Sequence, residues 1–125
     1  MKSFNTKIIA ISNQKGGVGK TTSAVNIAAF LAITETPTLL IDMDPQANAS
    51  IGVGVEVNTN KGSIYDVLIN QKNIDTCIQK TEIEYLDIVP SSSKLAGAEI
   101  ELVSMFTRES ILKEAINNIH GKYKY

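Results

Sequence analysis

The residues whose types and spacing could carry out chemistry are concentrated in one stretch, NQKGGVGKTT, which runs from Asn13 to Thr22. Glycines occupy positions 16, 17 and 19, and they allow successive backbone N–H groups to turn inward and form a concave anion site. A helix that begins near Lys20 would add its N-terminal donors and the positive end of its dipole. Lys20 would then neutralise the β- and γ-phosphates, and the Thr21 hydroxyl would ligate Mg²⁺. The stretch therefore predicts a phosphate-binding loop.

The loop departs from the strict pattern G-x-x-x-x-G-K-[ST], because the first glycine of that pattern would fall on Gln14. The sequence instead reads KGGVGKTT, with a second lysine, Lys15, at its start. The alternative interpretation is a glycine-rich turn between a strand and a helix that binds nothing. An ordinary turn needs neither the two lysines nor the two threonines, so the phosphate loop is favoured.

Two carboxylates form the second candidate group. Asp42 and Asp44 directly follow the apolar run TLLI and precede Pro45, which places them at the carboxyl edge of a predicted strand, where open α/β sheets bind ligands. Aspartate also starts turns, and Asp-Pro is a common turn pair, so each acid has a purely structural alternative. Beside a phosphate loop, carboxylates near a metal and a water are the favoured interpretation.

The two stretches KGGVGKTT and IDMDPQANAS together resemble the ParA/Soj chromosome- and plasmid-partition ATPases, in the deviant Walker A group that also includes MinD and the nitrogenase iron protein. The resemblance continues through GSIYDVL, LDIVPSS and LAGAEIEL, and so extends over the whole chain. It implies an α/β P-loop NTPase fold, with a parallel sheet flanked by helices.

The resemblance also implies a role for each matching residue. Lys15 is the signature lysine that contacts the partner's nucleotide across an ATP-sandwiched dimer, Lys20 is the P-loop lysine, and Asp44 orients the attacking water. Thr21 ligates Mg²⁺, and Asp42 lies near the water shell of the metal. The nucleotide-binding residues are then Gly16, Gly17, Val18, Gly19, Lys20, Thr21 and Thr22.

The function implied by this resemblance is ATP binding and Mg²⁺-dependent hydrolysis by a homodimer that acts in chromosome or plasmid segregation. A ParB-like partner protein and non-specific DNA are the implied partners, with no membrane, and the implied location is the cytoplasm at the nucleoid. Two alternatives stay open. One is a non-catalytic nucleotide- or anion-binding fragment, and the other is a MinD-like ATPase with another positioning role.

The resemblance further predicts that residues 1–125 are the N-terminal part of a single P-loop ATPase domain, truncated before the Walker B strand. The C-terminal half would carry that strand and most of the DNA-binding surface. Since the Walker B strand is expected beside the P-loop strand, its loss would expose a sheet edge, and exposed edges invite pairing with another chain. We therefore expect self-association by edge pairing or segment exchange.

Composition excludes several classes of protein. With 43% hydrophobic and 20% charged residues the chain is typical of a soluble globular domain, and its net charge of -1 gives no overall basic field for nucleic acid. Cys77 is the single cysteine, which excludes an intrachain disulfide and disfavours a nitrogenase-type iron protein, whose cluster needs two cysteines per subunit. No apolar run suits a signal peptide or a membrane span, so a cytoplasmic protein is expected.

Apolar periodicity predicts the elements around these motifs. We expect strands at 7–12, Thr38–Ile41 and Leu86–Val89, of which the first should be buried on both faces. Helices are expected at Thr21–Ile33 and at Ile64–Ile69 with Ser63 as its cap, while 52–62 should be loop and 73–80 is ambiguous between helix and strand. Two later helices should pack through apolar stripes, formed by Leu95, Ala98, Leu102 and Met105 and by Leu112, Ala115, Ile116 and Ile119.

Overall fold

The structure, a computed structural model, describes residues 3–12 and 19–125. In this part of the chain five α-helices flank one sheet. The helices are α1 (Lys20–Ile33), α2 (Asn48–Gly52), α3 (Ile64–Ile69), α4 (Ala98–Val103) and α5 (Ile111–Asn117), and the strands are β1 (Thr38–Ile41), β2 (Gln79–Lys80) and β3 (Leu86–Val89). Short 3₁₀ turns occur at Ile74–Cys77, Ser93–Gly97 and Arg108–Ser110.

The sheet has the strand order β1-β3-β2. Strands β1 and β3 are parallel, with Thr38 opposite Leu86 and Ile41 opposite Val89, so their carboxyl ends lie side by side. Both strands have the predicted bounds. The predicted parallel sheet holds for this pair, whereas β2 is antiparallel to β3 and makes the sheet mixed. The ambiguous segment 73–80 contains both a 3₁₀ turn and this short strand.

Helices cover the two faces of the sheet because alternate side chains of β3 point to opposite sides. Leu86 and Ile88 pack with Ala28 and Ala32 of α1 on one face. On the other face, Val89 belongs to a buried cluster, against which partly buried residues of α5 pack. The other members of this cluster are Ile64, Val67, Leu68, Ile74, Cys77, Leu95, Ala98 and Ile119. This second cluster includes the buried residues of both predicted stripes. The layered α/β arrangement predicted from the sequence is confirmed.

Helix α1 connects the phosphate loop to β1. It begins one residue before the predicted start, at Lys20, and ends at Ile33 as predicted. Pro37 then restricts the residue before it to extended backbone, and β1 begins directly after it at Thr38. Because α1 packs on β1 and β3, its N terminus is held at the same edge of the sheet as the carboxyl end of β1.

Helix α3 begins with the predicted cap. The Ser63 side chain accepts a hydrogen bond from the Tyr65 N–H, and the Asp66 carboxylate accepts one from the Ser63 N–H. This reciprocal pair is a capping box, which satisfies backbone donors at the start of the helix. The local sequence GSIYD therefore supplies the cap of this helix from residues at its own start.

The predicted strand at 7–12 is wrong for the described residues. Among the described residues, the backbone pairs at Lys7 and before it, where the Lys7 and Phe4 N–H groups donate to the carbonyls of Lys124 and Gly121, and not at 8–12. Ile8 is 70% exposed and Ile9 is 56% exposed, and neither belongs to a helix or strand. The three described strands pair with one another in the order β1-β3-β2, and no strand among the described residues lies beside 8–12 to complete a ladder.

Candidate functional site

The predicted phosphate loop is described only at its end. Residues 13–18 lie outside the described residues, and with them Lys15, Gly16, Gly17 and Val18. Gly19 is described and has φ +84°, which lies in the left-handed region that favours glycine. Gly19 is the N-cap of α1, and no side chain makes a capping hydrogen bond there. The chain therefore enters α1 through a turn of the kind that a phosphate loop requires.

The first turn of α1 carries the predicted phosphate and metal ligands. Lys20 and Thr22 are exposed, Thr21 is half-buried, and the turn contains no acidic residue. An α-helix leaves its first N–H groups without partners inside the helix, and they carry the positive end of its dipole. An anion placed here would meet backbone donors and the side chain of Lys20.

One open groove of about 1110 Å³ joins this helix terminus to the end of β1. Gly19, Lys20, Thr21 and Thr22 line it from the helix, and Asp42 and Asp44 line it from the strand. The two groups of residues that sequence analysis selected are thus brought to the same space. Parallel pairing and the packing of α1 on β1 produce this meeting, because both place the relevant ends at the same edge of the sheet.

Asp42 is buried, at 3% exposure, and its carboxylate accepts three hydrogen bonds. Oδ1 accepts from the Asp44 N–H at 3.0 Å. Oδ2 accepts from the Ser50 N–H at 2.9 Å and from the Ser50 hydroxyl at 2.6 Å. Since one carboxylate offers about four acceptor positions, Asp42 is mainly engaged within the protein and retains about one position, on Oδ1, for a further donor.

Asp44 is half-buried and holds its carboxylate toward the groove through local contacts. Its Oδ1 accepts from the Gln46 N–H at 3.0 Å, and its Oδ2 accepts from the Asn48 side-chain amide at 3.2 Å. Asn48 is exposed and begins α2. These local bonds give the Asp44 carboxylate a defined orientation. The Asp42 carboxylate, in contrast, is held mainly by the buried Ser50.

Two serines of this region were not selected by sequence analysis. Ser50 and Ser91 are each fully buried, and the Ser91 N–H donates to the Ser50 hydroxyl at 3.1 Å. The Ser91 hydroxyl donates to the backbone carbonyl of Asp44. Both serines lie inside stretches that carried the family resemblance, IDMDPQANAS and LDIVPSS. No local sequence pattern predicts that the two serines contact each other.

The described residues fit a magnesium-bound nucleotide. In the described part of the chain no group of three or more His, Cys, Asp and Glu side chains could hold a metal. Mg²⁺, however, is commonly bound through one or two protein oxygens together with substrate phosphates and waters. Thr21 at the helix terminus and Asp42 at the strand end line the groove from its two sides, and Gly19 leaves open space where a side chain would stand.

Comparison with known proteins gives a consistent family. A family model described as an AAA domain matches residues 6–125. The chain is 49% identical over 119 residues to the chromosome partitioning protein ParA of Myxococcus xanthus, covering 95% of this chain and 42% of the relative. It is 47% identical over 119 residues to the sporulation initiation inhibitor protein Soj of Bacillus subtilis, covering 95% of this chain and 47% of that protein. The chain spans less than half the length of these curated relatives.

A solved structure has the same fold. The cobyrinic acid a,c-diamide synthase of Mycobacterium smegmatis, with bound ADP and magnesium, superposes with a TM-score of 0.89 at 32% identity. The match covers 95% of this chain and 48% of that protein. Its bound nucleotide and magnesium agree with the ligands predicted from the loop sequence. No helix in residues 3–12 and 19–125 has the length and apolar character needed to cross a membrane.

The loop sequence, the α/β fold and these matches all lead to the same assignment. The chain belongs to the AAA domain family, in its ParA/Soj group of partition ATPases.

Proposed function

We propose that this chain binds ATP with Mg²⁺ and forms the N-terminal, phosphate-binding part of a partition ATPase that segregates a chromosome or a plasmid. The single observation that carries the proposal is the groove in which Lys20 and Thr21 meet Asp42 and Asp44. A cationic helix terminus and oriented carboxylates are the two parts that phosphoryl transfer needs. The names of the relatives, ParA and Soj, support the segregation role.

Each residue then has a defined task. The backbone of residues 16–19 and Lys20 hold the phosphates, Thr22 contacts them, and the Thr21 hydroxyl is the protein ligand for Mg²⁺. When bound, Mg²⁺ neutralises developing charge on the phosphate oxygens. Asp42 acts on the water shell of the metal through the acceptor position that remains on Oδ1. Asp44, held by Gln46 and Asn48, orients the attacking water.

The dimer belongs to the same proposal and rests on the resemblance of KGGVGKTT to the deviant Walker A group. Lys15 reaches the nucleotide of the partner subunit, so two copies close around two ATP molecules and hydrolysis separates them. A ParB-like protein stimulates this cycle, and non-specific DNA binds the dimer mainly through segments outside these 125 residues. The complex works in the cytoplasm, at the nucleoid.

Calorimetric titration of Mg²⁺-ATP into the 125-residue chain tests nucleotide binding. The Lys20→Ala variant should bind about 10-fold to 100-fold more weakly, because a charge-assisted contact to phosphate is lost. Lys113→Ala, at an exposed lysine of α5 whose side chain does not line the groove, removes the same charge outside the phosphate loop and should bind normally. Equal affinity of the parent and Lys20→Ala would remove Lys20 from the phosphate site, and a parent that binds no ATP would mean that the loop is an ordinary turn. Binding without turnover would favour the non-catalytic alternative.

An Asp44→Ala variant of the intact ATPase tests the catalytic assignment. Removing the carboxylate should abolish hydrolysis while leaving ATP binding, so an ATP-bound dimer should accumulate on size-exclusion chromatography. Turnover at the parental rate would remove Asp44 from its proposed role. A stable dimer that forms equally well without ATP would contradict the nucleotide-controlled dimer.

A further inference from the structure

A ring of hydrogen bonds closes around the loop that carries Asp44. Asp42 Oδ1 accepts from the Asp44 N–H, and Asp42 Oδ2 accepts from the Ser50 hydroxyl. The Ser50 oxygen in turn accepts from the Ser91 N–H, and the Ser91 hydroxyl donates back to the Asp44 carbonyl. The ring thus begins and ends on the Asp44 backbone, and it passes through a serine from the distant segment that follows β3.

The members of this ring are sealed from water. Ser50 and Ser91 are both at 0% exposure and Asp42 is at 3%. In a buried site a hydroxyl without a partner is costly, so each serine is held to both of its contacts. The Asp44 carbonyl also accepts from the Ala47 N–H, and Ala47 has φ +57°, in the left-handed region. The ring therefore stabilises a backbone turn in which Ala47 has a conformation that is unfavourable for alanine.

We infer that Ser91 is a positioning residue for Asp44, and that it couples the segment after β3 to the loop that orients the attacking water. This inference rests on the proposed function for the role of Asp44. Ser91 does not line the groove, so it acts on the reaction through its contacts, of which its hydroxyl makes the one to the Asp44 carbonyl. Pro90, directly before it, also accepts from the Ile64 N–H, which ties the same segment to the start of α3.

Hydrogen–deuterium exchange on the 125-residue chain tests the structural half of the inference. Ser91→Ala removes the hydroxyl bond but keeps the N–H donor to Ser50. The amides of Asp44, Ala47 and Ser50 should then exchange about fivefold faster or more, as expected for the loss of one hydrogen bond. Unchanged protection of all three amides would overturn the inference.

The neighbouring Ser92 provides a matched control. It is similarly buried, at 5% exposure, and its hydroxyl also donates and accepts, to Asn58 Oδ1 and from the Lys94 N–H. Ser92→Ala therefore removes an equivalent hydroxyl one residue away, outside the ring. It should accelerate exchange at Lys94 and leave Asp44, Ala47 and Ser50 unchanged. If Ser92→Ala loosens the Asp44 loop as much as Ser91→Ala does, the effect is general destabilisation and the inference fails.

Steady-state kinetics of the intact ATPase test the catalytic half. Ser91→Ala should lower kcat about tenfold, because small displacements of a reacting geometry are costly, while the KM for ATP and the nucleotide affinity change by less than about twofold. Ser92→Ala should leave both constants unchanged. A Ser91→Ala variant with parental kcat would overturn the inference. If the parent itself hydrolyses no ATP, the proposed function fails, and the exchange measurement still decides whether Ser91 holds the loop.

Discussion

Asp42 and Asp44 are two residues apart and of the same type, but their surroundings give them different tasks. Asp42 accepts three hydrogen bonds and is buried, whereas Asp44 is half-buried and, among the described residues, its carboxylate accepts from Gln46 and Asn48. The sequence predicts both at the strand end, and the family resemblance implies roles at the metal and the water for them. The burial of Asp42 shows that it also organises the loop, which its residue type alone does not indicate.

This difference predicts unequal effects on stability. Asp42→Ala would leave three donors without this acceptor, two of them on the buried Ser50, so the free energy of unfolding should fall by about 3 kcal/mol. Asp44→Ala removes a carboxylate that water can partly replace, and the loss should stay below about 1 kcal/mol. Urea denaturation of the 125-residue chain measures both. Similar losses for the two variants would contradict the structural role of Asp42.

Tyr123 predicts a dependence of stability on pH. Burial, followed by the hydrogen bond that its hydroxyl donates to Asp87 at 2.7 Å, raises the pKa of Tyr123 well above its ordinary value. Because the unfolded chain loses this proton first, the stabilisation is fully present below about pH 10 and is lost as the pH rises further. Tyr123→Phe should cost about 1 kcal/mol at neutral pH, and its difference from the parent should shrink above pH 10.

Chemical denaturation at a series of pH values measures this difference. Tyr85→Phe, at a tyrosine that is 41% exposed, serves as the control and should cost less than about 0.5 kcal/mol. A Tyr123→Phe difference that stays constant from neutral pH to above pH 10 would show that the phenol does not carry the effect.

At the scale of elements, α3 illustrates how a short helix is held by its own sequence. It has only six residues, and isolated helices of that length are not stable in water. The capping box at Ser63 and Asp66 satisfies its first donors, while Ile64, Val67 and Leu68 are buried in the larger cluster. Local capping thus decides where the helix starts, and tertiary burial decides that it persists.

Ser63→Ala should lower the free energy of unfolding by about 1 kcal/mol, because the cap for the Tyr65 N–H is lost. Ser104→Ala removes an exposed hydroxyl that donates to the Glu101 carbonyl after α4, and it should change stability by less than about 0.5 kcal/mol. Thermal denaturation followed by circular dichroism compares the two. Equal effects would mean that the capping box adds nothing to the burial of α3.

At the scale of the whole molecule, the described chain leaves an apolar edge uncovered. Ile8, Ile9 and Ile11 are exposed beside the groove, and Ile27, Phe30 and Ile33 extend the apolar surface along α1. Within residues 3–12 and 19–125, the last backbone hydrogen bond of this segment is the one that the Lys7 N–H donates to the Lys124 carbonyl. Such an edge offers unpaired backbone groups and β-branched side chains to another chain.

We therefore expect the 125-residue chain to self-associate as its concentration rises, in line with the sequence-based prediction. A double variant, Ile9→Lys with Ile11→Lys, should remain monomeric at higher concentration because charges block edge pairing. Ile100→Lys, at an isoleucine that is 81% exposed on α4, adds charge elsewhere and should associate like the parent. Sedimentation velocity measures the mass. A parent that stays monomeric throughout, or an equal response from Ile100→Lys, would contradict association through this edge.

The structural features that the sequence predicts correctly are determined by residues that are close together along the chain. The helical spacing of α1, the apolar runs of β1 and β3 and the Ser63 cap each arise within a few residues, so residue type and periodicity were sufficient to predict them. The glycines and lysines of 13–22 likewise indicated phosphate chemistry, and they led to the family. The antiparallel pairing of β2 and the exposure of residues 8–12 were not predicted. Both depend on which distant segment of the chain packs beside these residues in the fold.

The hydrogen bond between Ser50 and Ser91 is the clearest case of a contact that local sequence patterns do not predict. These residues are separated by 41 positions, and each is a small polar residue whose type is compatible with many surroundings. Their bond exists because the parallel register of β1 and β3 brings the two strand ends together. Residue types and local spacing alone therefore predict a phosphate site and indicate the family. Long-range packing determined which carboxylate is held in the core, which one faces the groove, and which distant serine holds it in place.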